Sequence, residues 1–169
     1  MDRFDKDISF LESVDRDPTL YQKHPTVSTL AELHQTKCGS LPCQPGIYRV
    51  LVPEKLPVSF MESPENSRAK GYPAAILEQK YAQCTDKTVL YIGKANGRGG
   101  LRQRVLQYVK YGWGTAVNHK GGRAIWQGKD YPLPLLEYED CENCEQREHE
   151  LLAAYKKENG TYPLANWRG

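Results

Sequence analysis

The alternation of apolar and polar residues predicts short strands and helices along most of the chain. Strands are predicted at 46–52, 88–92 and 133–139, and helices at 27–34, Ala74–Gln83, 101–110, Arg123–Gln127 and 141–158. Residues 53–72 are rich in proline and are predicted as a loop. In the second half the order is strand, strand, helix, strand, helix. That order indicates an α/β fold of the α+β kind, in which helices cover a small three-stranded sheet.

The predicted helix at 141–158 carries one charge on its packing face. Asp140 is the expected cap at its start, and Gly160 is suited to its end. Its apolar stripe is interrupted near the centre by Glu148, whereas Glu150 falls on the opposite, solvent side. A carboxylate on a packing face needs a partner, which is either a basic side chain in a structural ion pair or a metal ion.

The helix at 101–110 offers basic partners. Arg104 borders its apolar stripe on one side and Arg102 on the other. A guanidinium there can hold a phosphate through two parallel hydrogen bonds, or it can extend into solvent as an ordinary surface arginine. The glycines at 97, 99 and 100 precede this helix, and they either cradle a phosphate or only permit a turn.

Composition is that of one globular domain, with 169 residues of which 39% are hydrophobic. No uncharged run is long enough for a transmembrane helix, and the first residues are too polar for a secretory signal. Five cysteines, an odd number, favour reduced thiols and a cytoplasmic protein. Cys141 and Cys144 resemble half of a zinc site, but their distance from Cys38 and Cys43 favours thiols without zinc.

The net charge of +2 conceals two opposite blocks. Residues 87–129 contain nine bases and no acid, whereas residues 130–150 contain eight acids and one base. The basic block indicates a polyanion partner, and its interleaved aromatics, such as Tyr108 and Trp126, are typical of nucleic-acid binding. The alternative is that the basic block neutralises the acidic block beside it in the fold. DNA is the expected partner, no membrane is expected, and RNA remains open.

Two tripeptides, Gly46-Ile47-Tyr48 and Tyr91-Ile92-Gly93, connect these observations. Strand tyrosines are usually packing residues. Followed by Lys94, an arginine-bearing helix and a carboxylate-bearing helix, however, the tripeptides resemble the GIY-YIG nuclease family over residues 45–166. The resemblance implies a three-stranded antiparallel sheet flanked by helices and a metal-dependent endonuclease that hydrolyses DNA. It also implies one divalent ion, Mg²⁺ or Mn²⁺.

The resemblance assigns roles by position. Tyr48 and Tyr91 fall on the tyrosines that handle the attacking water, and cations near them would have to lower their pKa for either to act as a base. Arg104 falls on the arginine that contacts the scissile phosphate, Glu148 on the metal ligand, and Lys94 on a basic residue of the site. Nucleic-acid contacts are expected from a further set of side chains: Arg98, Arg102, His119, Lys120, Arg123 and Asn166.

The chain also departs from the family pattern. The two tyrosines are 43 residues apart, so 53–87 is interpreted as an insertion into a nuclease domain at 45–169. Glu148 also lies further from Asn166 than is usual. Residues 1–44 form an N-terminal extension without a recognisable DNA-binding domain, which leaves room for a targeting partner protein. DNA repair, restriction or defence, and mobile-element processing are all open. The alternative from another class is a non-catalytic nucleic-acid-binding module that retains the fold.

Overall fold

The computed structural model describes residues 26–53, 56–66, 70–115 and 121–168. A sheet of four strands lies at its centre: β1 Thr26–Thr29, β2 Gly46–Leu51, β3 Val89–Ala95 and β4 Leu135–Asp140. Four α-helices and one 3₁₀-helix surround it: α1 Leu30–Gln35, α2 Ala74–Gln83, α3 Gly100–Gly112, the 3₁₀-helix Arg123–Gln127 and α4 Cys144–Asn159. None of the described helices combines the length and the apolar character needed to cross a bilayer.

The strands are ordered β1-β4-β2-β3, and every neighbouring pair is antiparallel. The mixed α/β class is therefore confirmed, but the sheet has four strands rather than three. The additional strand is β1, which pairs with β4 from Thr26 to Thr29. The described part of the predicted extension thus packs on the sheet, and β3 forms the opposite edge.

A continuous helix at 27–34 is a wrong prediction. The segment is divided at Thr29, whose side chain accepts a hydrogen bond from the backbone of Glu32, while the Glu32 carboxylate accepts from the backbone of Thr29. This capping box starts α1 at Leu30, and the β-branched residues before it favour an extended backbone. The Thr-x-x-Glu spacing was visible in the sequence.

Two further boundaries differ from the predictions. The last helix begins at Cys144 rather than at Cys141, because the side chain of Asn143, not of Asp140, accepts a hydrogen bond from Gln146 N. Strand β3 continues through Gly93 to Ala95, whereas the glycine was expected to end it. Lys94 consequently lies on a strand and has a fixed direction.

Side chains alternate between the two faces of the sheet. Tyr48 and Tyr91 belong to the larger cluster, which the residues of α1, α3 and the 3₁₀-helix complete. Ile47 and Ile92 point to the other face and pack with residues of α4. The two tripeptides thus bring their tyrosines to one face and their isoleucines to the other.

A buried ion cluster fastens α4 to the sheet. Glu139 on β4 accepts a hydrogen bond of 2.6 Å from Arg147 Nε on α4. Its other oxygen lies 3.5 Å from Arg49 Nη2 on β2, and Arg49 is only 8% exposed. Because Glu139 is shared by two guanidinium groups, its removal would leave buried positive charges without compensation.

Replacing Glu139 by Ala is expected to lower the free energy of unfolding by about 3 kcal/mol, because one partner of a buried ion pair is lost. Urea denaturation followed by circular dichroism measures this change. Glu142→Ala is the control, since Glu142 is exposed just after the same strand and should change stability by less than about 0.5 kcal/mol. Equal stability of the two variants would contradict the assigned role of Glu139.

Candidate active site

The packing of the two motif tyrosines requires a glycine at position 93. In the β2–β3 ladder Tyr48 lies opposite Gly93, and Val50 opposite Tyr91. A Cβ built on Gly93 would lie 2.6 Å from Tyr48 Cζ and 2.9 Å from Tyr91 Cε1. Only glycine therefore lets both rings rest on the strand at this point. The ring centroids are 5.9 Å apart in a T-shaped arrangement.

A third tyrosine completes this aromatic group. Tyr108 on α3 stacks on Tyr91, with ring centroids 5.7 Å apart, and its hydroxyl donates to the Gly122 carbonyl at 3.1 Å. Gly122 has a positive φ of 67°, and a Cβ there would press on the Tyr91 ring. The ring of Tyr91 is therefore held from two sides.

The two motif tyrosines differ in their surroundings. Tyr48 is fully buried, and burial raises its pKa well above the usual value. Burial also raises the pKa of Tyr91 to about 12, while a hydrogen bond with Tyr48 and the charge of Arg104 act in the opposite direction. For both tyrosines burial thus outweighs the lowering effect of the Arg104 charge. Of the two tyrosines, Tyr91 has the anion-stabilising hydrogen bond and lines an open cleft.

That cleft has a volume of about 440 Å³ and lies at the β3 edge of the sheet. Tyr91 and Lys94 from β3 line it, together with Glu148 from α4. The C-terminal tail closes one wall, because Ala165 N donates to the Leu90 carbonyl on β3. Tyr91 and Glu148 thereby line the same cleft, although they are 57 positions apart in the sequence.

Lys94 and Glu148 form an ion pair in the cleft wall. Lys94 Nζ lies 3.0 Å from Glu148 Oε2 and 3.4 Å from Glu145 Oε1. Lys94 is the basic partner that a structural ion pair requires. The ion pair alone therefore does not show whether Glu148 has a structural role or binds a metal ion. Its side chain is nevertheless 20% exposed and borders the cleft, where a ligand can reach it.

Arg104 lies in an adjoining cavity of about 390 Å³, and Lys94 lines both spaces. Lys94 is thus shared by the two cavities, of which Glu148 lines one and Arg104 the other. Arg104 is close enough to the tyrosines for its charge to oppose the rise of their pKa values. The structure thus brings five of the predicted site residues into one region: Tyr48, Tyr91, Lys94, Arg104 and Glu148.

The predicted nucleic-acid contacts are divided. Arg98 is exposed in the turn after β3. Arg102 instead holds the loop after α1, because Nε donates to the Leu41 carbonyl at 2.8 Å and Nη2 to the Gly39 carbonyl at 3.0 Å. Arg123 donates to the Tyr72 hydroxyl at 3.0 Å. His119 and Lys120 lie outside the described residues.

Asn166 lines the cleft but is only 7% exposed. Its Nδ2 donates to the Ile92 carbonyl and its Oδ1 accepts from Ile92 N, both at 2.9 Å. This amide pairs with the edge of β3 like a short additional strand. Its polar atoms serve to hold the tail beside Tyr91 rather than to reach a nucleotide.

The two charge blocks are largely separate in the fold. Among the described bases of 87–129, Lys94 alone forms an ion pair with a carboxylate. Glu139 of the acidic block instead forms ion pairs with Arg49 and Arg147. Within the described part of the chain, direct ion pairing of basic-block residues with the acidic block is therefore limited to Lys94. The aromatic part of the nucleic-acid argument is wrong for Tyr108 and Trp126, which lie in the core and are at most 1% exposed.

The donor set at Glu148 fits a hard divalent cation. Mg²⁺ is commonly bound by one or two carboxylates, with water and substrate phosphates as its other ligands. Within the described residues no three His, Cys, Asp or Glu side chains converge, so an ion here would rely on Glu148, water and phosphate oxygens. All five cysteines are unpaired thiols, with Cys141 Sγ 2.7 Å from Cys144 Sγ.

Sequence reasoning missed the residues that hold the cleft wall. Lys80 on α2 donates to the carbonyls of Pro163 and Leu164 at 2.9 and 2.8 Å, and also to that of Asn166. Its Nζ lies 4.2 Å from the Trp167 ring centroid. No local pattern could reveal these contacts, because the carbonyls lie more than 80 positions away.

An aromatic pair stands beside this lysine. Trp167 stacks on Tyr72 with ring centroids 4.7 Å apart, and both residues line the cleft. The guanidinium of Arg123 lies 4.5 Å from the Tyr72 ring centroid. The sequence signal for this wall is the tryptophan directly after Asn166, and the structure shows that Trp167 is 41% exposed.

The chain was compared with family models, with curated proteins and with solved structures, and none of them matches it.

Proposed function

We propose that the protein is a metal-dependent endonuclease that hydrolyses phosphodiester bonds of DNA, with a site of the GIY-YIG kind. The observation that carries the proposal is that Lys94 lines both cavities. Tyr91 and Glu148 line one of these cavities and Arg104 the other, and Arg104 is not engaged by a carboxylate within the described residues. Phosphodiester hydrolysis requires a group that accepts a proton and positive charge that stabilises the phosphate.

Arg104 is assigned to the scissile phosphate. Its guanidinium can donate two parallel hydrogen bonds to phosphate oxygens, and these bonds strengthen as charge develops in the transition state. Arg102, one position earlier, is occupied by loop carbonyls and cannot take this role. The difference between the two neighbours supports the assignment that family resemblance made.

Glu148 is assigned to the divalent ion, and Lys94 holds its carboxylate in place through the 3.0 Å contact. When bound, such an ion supplies Lewis-acid polarisation of the phosphate and lowers the cost of deprotonating water. The packing of α4 against Ile92 and Ile47 fixes the helix that presents Glu148. A single-carboxylate site needs this support, because no second side chain corrects its position.

Tyr91 is assigned to the attacking water. Its ring is fixed by Tyr108 and Gly122, and it accepts the hydrogen bond from Tyr48 that stabilises its anion. Tyr48 is fully buried and cannot contact substrate, so its role is to position and polarise Tyr91. The charge of Glu148 raises the pKa of Tyr91 as a lesser effect than burial, and a cation at that carboxylate would offset it.

Cleavage is expected to accelerate with pH. Burial raises the pKa of Tyr91 to about 12, so its anionic fraction should increase about tenfold per pH unit throughout the neutral and mildly alkaline range. The logarithm of the single-turnover rate should therefore rise with a slope near 1 from about pH 6 to 9. Tyr91→Phe should lose both the rate and this slope. A wild-type rate that is flat with pH would contradict the role of Tyr91 as a base.

The alternative is a module that binds nucleic acid without cutting it. Such a module needs the basic surface but gains nothing from Glu148, which repels phosphate beside Arg104 and Lys94. Incubation of the protein with supercoiled plasmid and Mg²⁺ or Mn²⁺ separates the two functions. Nicked and linear products that disappear with chelator support the nuclease. Intact plasmid in a stable complex supports the binding module. Preferential cleavage of RNA would show that the substrate is RNA rather than DNA.

A further inference from the structure

The cavity that contains Arg104 is lined by an unusual set of side chains. Besides Arg104 and Lys94, its polar lining consists of three carboxamides, Asn96, Gln103 and Gln107, which we call the amide lobe. The remaining lining is glycine, at positions 97 and 100. None of the described carboxylates borders the space, whereas the neighbouring cleft has two, Glu145 and Glu148.

The carboxamides of the amide lobe are available to a ligand. The structure shows no side-chain hydrogen bond within the described residues for any of the three. Gln127 and Asn166 differ from them, since both are buried and their amides are bonded to backbone carbonyls. The buried amides thus have hydrogen-bond partners in the protein, whereas the amides that line this cavity can bond to a ligand.

The backbone arranges the lobe around Arg104. Gln103 and Gln107 are one helical turn apart on α3, and together with Arg104 they lie within an arc of about 100°, with Arg104 at one edge of it. A Cβ on Gly99 would collide with the Gln103 side chain, so the absence of a side chain there gives Gln103 its room. One face of α3 therefore presents an amide, a guanidinium and a second amide to the same space.

This combination suits a DNA duplex. A guanidinium holds phosphate and fixes the register, while a carboxamide has a donor and an acceptor that match N7 and the amino group of adenine in the major groove. The major groove also admits an α-helix. A helix face that offers both groups can bind a phosphate and read the bases beside it.

We propose that the amide lobe reads base edges next to the cut, so that the substrate is duplex DNA with adenine preferred near the scissile phosphate. The inference rests on the proposed nuclease function, since Arg104 is what places the lobe beside that phosphate. Gln103 and Gln107 are the specificity-determining residues, and Asn96 adds a contact from the end of β3.

The test uses a pool of duplexes with randomised positions and sequences both the cleaved products and the duplexes bound without divalent metal. The wild type should enrich adenine at fixed positions from the cut. Gln103→Ala and Gln107→Ala should each reduce that enrichment about tenfold, because a good bidentate contact discriminates by that order. Gln103→Glu should shift the preference toward cytosine, which a merely structural role would not do.

Gln79→Ala is the matched control, because Gln79 is an exposed glutamine on α2 outside both cavities; its enrichment should equal that of the wild type. Cleavage without base preference, or a preference unchanged in both variants, would overturn the inference while leaving the nuclease intact. Adenine-dependent binding without cleavage would support the lobe and refute the nuclease. A wild type that neither binds nor cuts any duplex refutes both.

Discussion

Glu148→Gln is expected to slow DNA cleavage by at least about 10³-fold. The substitution keeps the size of the side chain but removes the charge that would hold a divalent ion, whose transition-state stabilisation amounts to several kcal/mol. Lys94 loses its 3.0 Å ion-pair partner but keeps Glu145 at 3.4 Å, so the cleft wall should remain in place. Duplex binding should be equal or tighter, because a negative charge leaves a basic groove. Single-turnover rates and binding titrations on the same samples measure both effects.

Glu150→Gln is the matched control for this prediction. Glu150 lies two residues away on the same helix, is exposed, and accepts a 2.9 Å hydrogen bond from Gln146 Nε2. Its replacement should leave cleavage within about twofold of the wild type, since surface substitutions change little. Loss of cleavage in Glu150→Gln with normal cleavage in Glu148→Gln would mean that the other face of α4 carries the ligand.

Arg104→Ala is expected to reduce cleavage by about 10²- to 10³-fold, the usual effect of removing one donor to a developing negative charge. Most of the loss should appear in the rate rather than in binding, because the contact is strongest in the transition state. Arg104→Lys should recover only part of the rate, since an ammonium group cannot make the two parallel hydrogen bonds. Single-turnover kinetics at saturating protein separate the rate from affinity.

Arg102→Ala is the neighbouring control, because its guanidinium holds the carbonyls of Leu41 and Gly39. We expect it to lower the melting temperature and to leave the single-turnover rate of the folded protein near that of the wild type. A larger loss of rate in Arg102→Ala than in Arg104→Ala would reverse the assignment of the phosphate contact.

Local signals in the sequence predicted the individual elements well where those signals are strong. The helix of 101–110 has a clear apolar stripe and appears as α3, and Glu148 stands out because it is a charge on an apolar face. The two tripeptides were also placed in strands, and both lie in neighbouring antiparallel strands, β2 and β3. These features depend on neighbours within a few residues, which a sequence displays directly.

The sequence did not reveal what depends on contacts between distant segments. The local pattern predicts a helix over part of β1, because the partner strand β4 lies more than 100 positions away. Likewise the pattern predicts that a strand ends at Gly93, whereas the structure needs this glycine to make room for the Tyr48 ring on the opposite strand. The clamp of Lys80 on the C-terminal tail depends on backbone carbonyls, which carry no residue identity at all.

The pKa of Tyr91 shows why position alone does not determine chemistry. The sequence suggested that surrounding cations would lower it, but burial outweighs the charge of Arg104 and raises the pKa to about 12. The charge near the ring could be guessed from the basic block, whereas its burial depends on Tyr48, Tyr108 and Gly122 together. Because a tyrosine with a raised pKa is rarely ionised near neutral pH, the pH dependence of the cleavage rate is an informative test of Tyr91 as the base.

The most direct test of the proposed active site is the metal dependence of cleavage by the wild type and by Glu148→Gln. One end-labelled duplex is cut under single-turnover conditions over a series of Mn²⁺ concentrations, and binding of the duplex is measured in parallel. We expect the wild-type rate to rise to saturation, and that of Glu148→Gln to stay at background at every concentration despite normal binding. Wild-type cleavage that persists in chelator, or equal rates for the two proteins, would contradict a metal-dependent site at Glu148.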